Sequence, residues 1–190
     1  MTPRSPAFYM DVITTGTILG ARPTDTPDQV TAILGSEFAE NSQGNRSMWR
    51  DYGTVEFFWG RESRGHAWTG HHFTVQVRRL SRGGSAVNRV LRERYGRFGR
   101  HLRFDAVERL PARRGVLMEE VPNPNAPDYS LHWHPASQVS VMVRRSPERG
   151  AHRRGRTRVG DVHSVASSMS AEQVAFYRSR HARLTTAVPS

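Results

Sequence analysis

Thr54-Val55-Glu56-Phe57-Phe58-Trp59, followed after a polar connection by Phe73-Thr74-Val75-Gln76-Val77-Arg78, is the stretch that decides the fold. Val55, Phe57 and Trp59 alternate with Thr54 and Glu56. Phe73, Val75 and Val77 alternate with Thr74 and Gln76. A period of two marks strands buried on one face. Two such runs joined by the Gly-containing segment 60–70 read as a hairpin. The connection is longer than the tight hairpin classes, so turn chemistry does not set its register. Phe57-Phe58-Trp59 places three aromatics in a row, and alternation must send Phe58 to the face opposite its neighbours. There it either lies under a second layer or stands exposed as a binding anchor.

Upstream, the run from Asp25 to Gly35 carries the signals of a short helix. Asp25 or Thr26 can cap it, Pro27 suits the first turn, and Asp28 complements the dipole. Val30, Ile33 and Leu34 share an apolar face, and Gly35 can close the end. The core expected from this half is Ile33, Leu34, Val55, Phe57, Trp59, Val75 and Val77. Residues 1–15 read as an irregular lead-in or a first short strand, and residues 40–47 as a loop by composition.

Downstream, Ser81-Arg82-Gly83-Gly84-Ser85 is a natural break. Ser85 caps a second helix over 86–95, closed by Gly96, with Val87, Val90, Leu91 and Tyr95 on one face and Arg94 turned outward. Strand-like runs follow at 102–110, 116–121, 129–133, 139–143 and 159–166. The three prolines of 122–128 exclude regular structure there. Ser170-Ala171-Glu172-Gln173 is a capping box opening a last helix to about Arg183. Runs of strands after each helix indicate an antiparallel α+β fold with short helices packed on one face of the sheet. Two units of helix plus strands, 1–80 and 81–190, are discernible, and they read equally as one continuous domain.

Composition narrows the function classes. The absence of cysteine among 190 residues excludes disulfides, thiolate metal sites and cysteine nucleophiles. No run approaches the roughly 20 apolar residues of a membrane span. Asp11 interrupts the N-terminal region, which does not read as a signal peptide, so a soluble cytoplasmic protein is the expectation. All 28 basic residues are Arg, a usage that fits a GC-rich coding bias as well as selection for binding. Residues 1–80 hold eight Arg and eight acids, so the whole net charge of +11 falls in 81–190.

No constellation completes a catalytic or metal signature. His132 and His134 stand two apart on one strand face, a spacing some metal sites use, with His71, His72 or Glu120 as nameable third ligands. Polar edge-strand positions explain them as well. His71 and His72 are adjacent, and without a bend adjacent strand residues point to opposite faces. Asp51 and Glu56 could be imagined as an acid/base pair, but Glu56 alternates with core positions and reads as solvent-facing. No cofactor and no metal are expected. Residues 144–158 hold seven Arg and one Glu, and 89–103 hold six more Arg. If these patches meet, their field attracts phosphates or an acidic protein. The stretch 144–158 has no aromatic for base stacking, and a solvated hairpin loop is its simplest explanation.

The helix Thr26-Pro27-Asp28-Gln29-Val30 closed by Leu34-Gly35, the segment Trp49-Arg50-Asp51-Tyr52-Gly53 and the two strands after it carry a resemblance. This order resembles the helix-plus-antiparallel-sheet unit of beta-lactamase-inhibitor-protein-like folds and of small outer-membrane assembly lipoproteins. It is also similar to actinobacterial immunity-type proteins found beside secreted toxins. The resemblance covers about 50 residues and implies a concave sheet that binds another protein. The chain lacks the lipoprotein cysteine, the export signal and the inhibitor disulfide. The expectation is a non-catalytic protein-binding module of immunity or inhibitor type. Its candidate contact residues are Phe58, Trp68, Arg144, Arg145, Arg153, Arg154, Arg156 and Arg158. Nucleic-acid binding through the Arg-rich second part is the alternative.

Overall fold

The computed structural model describes residues 5–112, 117–147 and 157–186. It begins with a helix, α1 (Ser5–Thr15), where the sequence indicated a lead-in or strand. Phe8, Tyr9, Val12 and Ile13 are all buried. Two adjacent apolar pairs four residues apart make one helical stripe, a pattern that β-branched content had masked. Helix α2 (Pro27–Leu34) follows its signals closely. Thr26 and Gln29 form a reciprocal capping box, and Gly35 closes the helix at a φ of 92°. Val30 and Leu34 are buried, but Ile33 is 42% exposed and does not join the core. An eight-residue helix presents a narrow stripe, and Ile33 falls beside it.

Residues 40–47, a loop by composition, instead belong to a hairpin of β1 (Ala39–Gln43) and β2 (Ser47–Asp51). Every residue of β1 is exposed. This polar edge strand is held by backbone pairing, so it leaves no alternation to read. β3 (Val55–Gly60) and β4 (Thr69–Gln76) form the expected hairpin, with Val55, Phe57, Trp59, Phe73 and Val75 buried. Val77 is buried as well, although it opens the single turn α3 (Val77–Leu80) instead of extending the strand. Gly70 lies under the 23–25 loop, where a Cβ would meet the Pro23 carbonyl oxygen at 2.4 Å. That loop also takes the Trp59 indole N–H on the Asp25 carbonyl at 2.8 Å.

Ser85 caps α4 (Ala86–Tyr95), whose core contacts are Val87, Leu91 and Tyr95, while Val90 is 46% exposed. Arg94 is exposed and lies over the Tyr95 ring. The run 102–110, read as a strand, is mostly helix α5 (Phe104–Ala112). Its buried Val107 and the Asp105–Arg109 ion pair at 2.7 Å express a period near four. β5 (Glu119–Val121), β6 (Tyr129–His134), β7 (Val139–Arg144), β8 (Val162–Ser167) and α6 (Ala171–Thr186) complete the chain. Ser170 and Gln173 exchange the bonds of the expected capping box.

All strands join one antiparallel sheet in the order β1-β2-β3-β4-β8-β7-β6-β5. Two four-stranded meanders, each preceded by helices, therefore meet along their last strands, and the chain is α+β. One sheet face packs on α1, α2, α3, α4 and α5 to form the main core. On the other face α6 covers one end, where Val174 and Met169 pack on Val121, Leu131 and Trp133. Among the described residues no helix is long and apolar enough to cross a membrane.

Candidate functional site

Because α6 covers only the β5–β6 end of its face, the residues of β2, β3 and β4 that point away from the main core remain open. Strand pairing places Trp49 opposite Phe58, and Phe58 opposite His72. The three rings form a stacked row: Trp49 to Phe58 at 6.3 Å between centroids, Phe58 to His72 at 4.1 Å. All three are half-buried. Phe58 is thus the outward aromatic that strand alternation requires. Trp49 belongs beside it because its neighbour Met48 takes the inward position, a signal already present in the alternation of β2.

Alternation along a straight strand separates His71 from His72, and here the structure differs. The β3–β4 register shifts between Phe58 and Trp59, so Trp59 pairs with Gly70 and His71 is the extra residue. This bulge supplies the missing bend. The two Nδ1 atoms come to 2.6 Å, so one donates to the other. Such a bond requires at least one neutral ring. Burial lowers the pKa of His71. Burial, with repulsion from His71 second, lowers that of His72 to about 4. From the row a groove of about 630 Å³ runs toward α6, lined by His72, Ser140, Met142, Ala166, Gln173 and Tyr177. On the other side Asp51 and Glu56 face each other across β2 and β3, and Arg79 bridges both at 2.9 and 3.2 Å. This is a salt-bridged rim in place of an acid/base pair.

The depressed pKa of His72 makes stability depend on pH. The unfolded chain, with a histidine pKa near 6.5, binds more protons than the folded chain between about pH 4 and 6.5. Stability therefore falls as pH drops through that window. With the ring part-exposed, screening limits the His72 share to about 1 kcal/mol. Urea midpoints at pH 7 and pH 4.5 should differ less for His72→Phe than for the natural chain. An unchanged difference would remove His72 as the source.

The other candidates are dispersed. His132 and His134 do share a face, but it is the helix side, away from His71 and His72. His132 stacks on Phe104 at 4.0 Å and bonds Ser130. His134 is buried against Ser137, with Nδ1 to Oγ at 2.7 Å. Glu120 pairs across the strands with His132 but is engaged by Arg145. Among the described residues no three metal-ligating side chains cluster. Trp68 packs against the main core with Arg61 4.0 Å over its ring, apart from the Phe58 row.

Of the arginines, Arg144 is buried: its guanidinium donates to the Ser146 and Pro147 carbonyls and lies over Tyr129. It holds a turn and offers no surface to a partner. Arg145 is exposed and paired with Glu120, and Arg158 is exposed. Arg153, Arg154 and Arg156, with most of the loop 146–157, lie outside the described residues. The described ends of the two Arg-rich stretches lie side by side. Val162 N–H donates to the Leu102 carbonyl, and Phe104 N–H to that of Gly160. Between them Asp161 Oδ2 accepts from Arg158 N–H and lies 2.7 Å from His101 Nδ1, while Oδ1 lies 3.7 Å from Arg103.

Comparison with protein-family models, curated proteins and solved structures finds no match to this chain.

Proposed function

We propose that the chain is a non-catalytic protein-binding module of immunity or inhibitor type, acting in the cytoplasm through the open face of its sheet. The observation that carries this reading is the half-exposed row Trp49, Phe58 and His72 on a face that α6 leaves uncovered. A soluble chain gains nothing in folding by leaving stacked aromatics at the surface, whereas interfaces concentrate their energy in such anchors. The flanking charges Asp51, Glu56 and Arg79 already satisfy one another. The partner therefore presents an apolar surface with hydrogen-bonding edges, and its affinity changes little with salt. The resemblance to inhibitor-type units points the same way.

The test is retention of a protein partner on the immobilised chain from lysates of its own cells grown under several conditions. Phe58→Arg should weaken that partner at least about thirty-fold while its Tm falls by no more than about 2–4 °C. A chain that retains no stoichiometric partner, or retains it equally after Phe58→Arg, would overturn the reading.

A further inference from the structure

A second concave site lies on the helix side of the sheet, remote from the aromatic row. A cavity of about 410 Å³ is lined by α1, the segment between α4 and α5, and the start of α5. Small-molecule sites begin at about 300 Å³. Its floor is apolar: Tyr9, Phe98 and Leu102 are 2%, 6% and 8% exposed. Tyr9 and Phe98 pack edge to face at 6.2 Å. Its rim carries Arg97, His101 and Arg103.

Two observations separate this cavity from an ordinary surface dent. The first is Tyr9. Among the described residues no group hydrogen-bonds its hydroxyl, although the residue is almost wholly buried and lines the cavity. The hydroxyl is not one of the fully buried unpaired atoms, so its open side faces the cavity. Neighbouring Tyr95, by contrast, donates to Asp11 at 2.9 Å. Burial also raises the Tyr9 pKa, so the hydroxyl remains a donor at any working pH. The second is the rim. His101 and Arg103 are held by the buried Asp161, which leaves Nε2 of His101 unengaged by any described residue. Arg97 makes no ion pair among the described residues. Arg97 and Arg103, both from the segment between α4 and α5, thus face the mouth above an apolar floor that α1 completes.

We infer that this cavity binds a small phosphorylated molecule with a flat ring, of nucleoside monophosphate size. The ring covers Phe98 and Leu102 and accepts a hydrogen bond from Tyr9. The phosphate sits at the rim between Arg97 and Arg103, where guanidinium pairs suit its geometry. A polynucleotide is the less fitting ligand, because the aromatics lie at the bottom of a cavity and do not form an exposed stacking track.

Titration calorimetry of the full chain with AMP, GMP, CMP and UMP, with adenosine and with inorganic phosphate tests this. At least one monophosphate should bind one to one with Kd below about 1 mM, at least ten-fold tighter than phosphate or adenosine alone. Arg97→Gln should weaken the monophosphate and phosphate about ten-fold and leave adenosine unchanged. Tyr9→Phe should weaken the monophosphate several-fold, leave phosphate unchanged and melt like the natural chain. Should Tyr9→Phe fail to fold, the exposed Arg97→Gln carries the test. Absence of binding by all four monophosphates, or binding indifferent to both variants, overturns the inference. So does an oligonucleotide that binds far more tightly than its monomer with a steep salt dependence. Phe58→Arg should leave the monophosphate affinity unchanged, which keeps this result separate from that of the sheet face.

Discussion

Phe57→Ala should destabilise the protein by about 3–5 kcal/mol, and Phe58→Ala by only about 1 kcal/mol. The two residues are adjacent and chemically identical, so the contrast isolates their faces. Phe57 is 1% exposed and touches Tyr52, Trp59 and Phe73 in the main core. Truncation there loses apolar burial and leaves a cavity that a three-ring cage cannot fill without moving strands. Phe58 loses stacking on Trp49 and His72, but water reaches its site and no void forms. Urea unfolding with an unchanged m-value measures both. Equal costs for the two variants would mean that the open face is covered and that the proposed contact surface does not exist as described.

Asp161→Ala should cost about 2–3 kcal/mol, a large effect for a residue outside the apolar core. The carboxylate is 2% exposed and ties β8 to the segment before α5. It accepts from the Arg158 backbone, and pairs with His101 and Arg103. Its removal orphans a backbone donor, takes the partner from His101 Nδ1 and leaves Arg103 with Asp105 and the Val159 carbonyl. The cost stays below that of a fully buried broken pair because His101 and Arg103 reach solvent, with side chains 30% and 51% exposed. Asp161→Asn, which keeps an acceptor for Arg158 N–H but loses the charge, should fall between. A cost for alanine under about 0.5 kcal/mol, the scale of an ordinary surface change, would show that the junction between the Arg-rich stretches holds without it.

Local chemistry in the sequence determined α2, α4 and the start of α6 through their caps, and the β3–β4 hairpin through its period of two. It also determined that Phe58 leaves the core. These features depend on residues a few positions apart, where capping geometry and strand alternation act directly. Elsewhere the local signal was degenerate. The β-branched run Val12–Thr15 in α1 suits either period, and polar β1 carries no period because neither of its faces is buried. Tertiary structure alone decided the rest. The bulge that joins His71 to His72 arises from the pairing of Trp59 with Gly70, a register set across strands. The described ends of the Arg-rich stretches lie side by side at Asp161 because β8 inserts between β4 and β7, so that residues some 60 positions apart share one hydrogen-bond network. Burial of Arg144 and the opening of the Tyr9 hydroxyl onto a cavity follow from what packs around them, and no spacing along the chain records that.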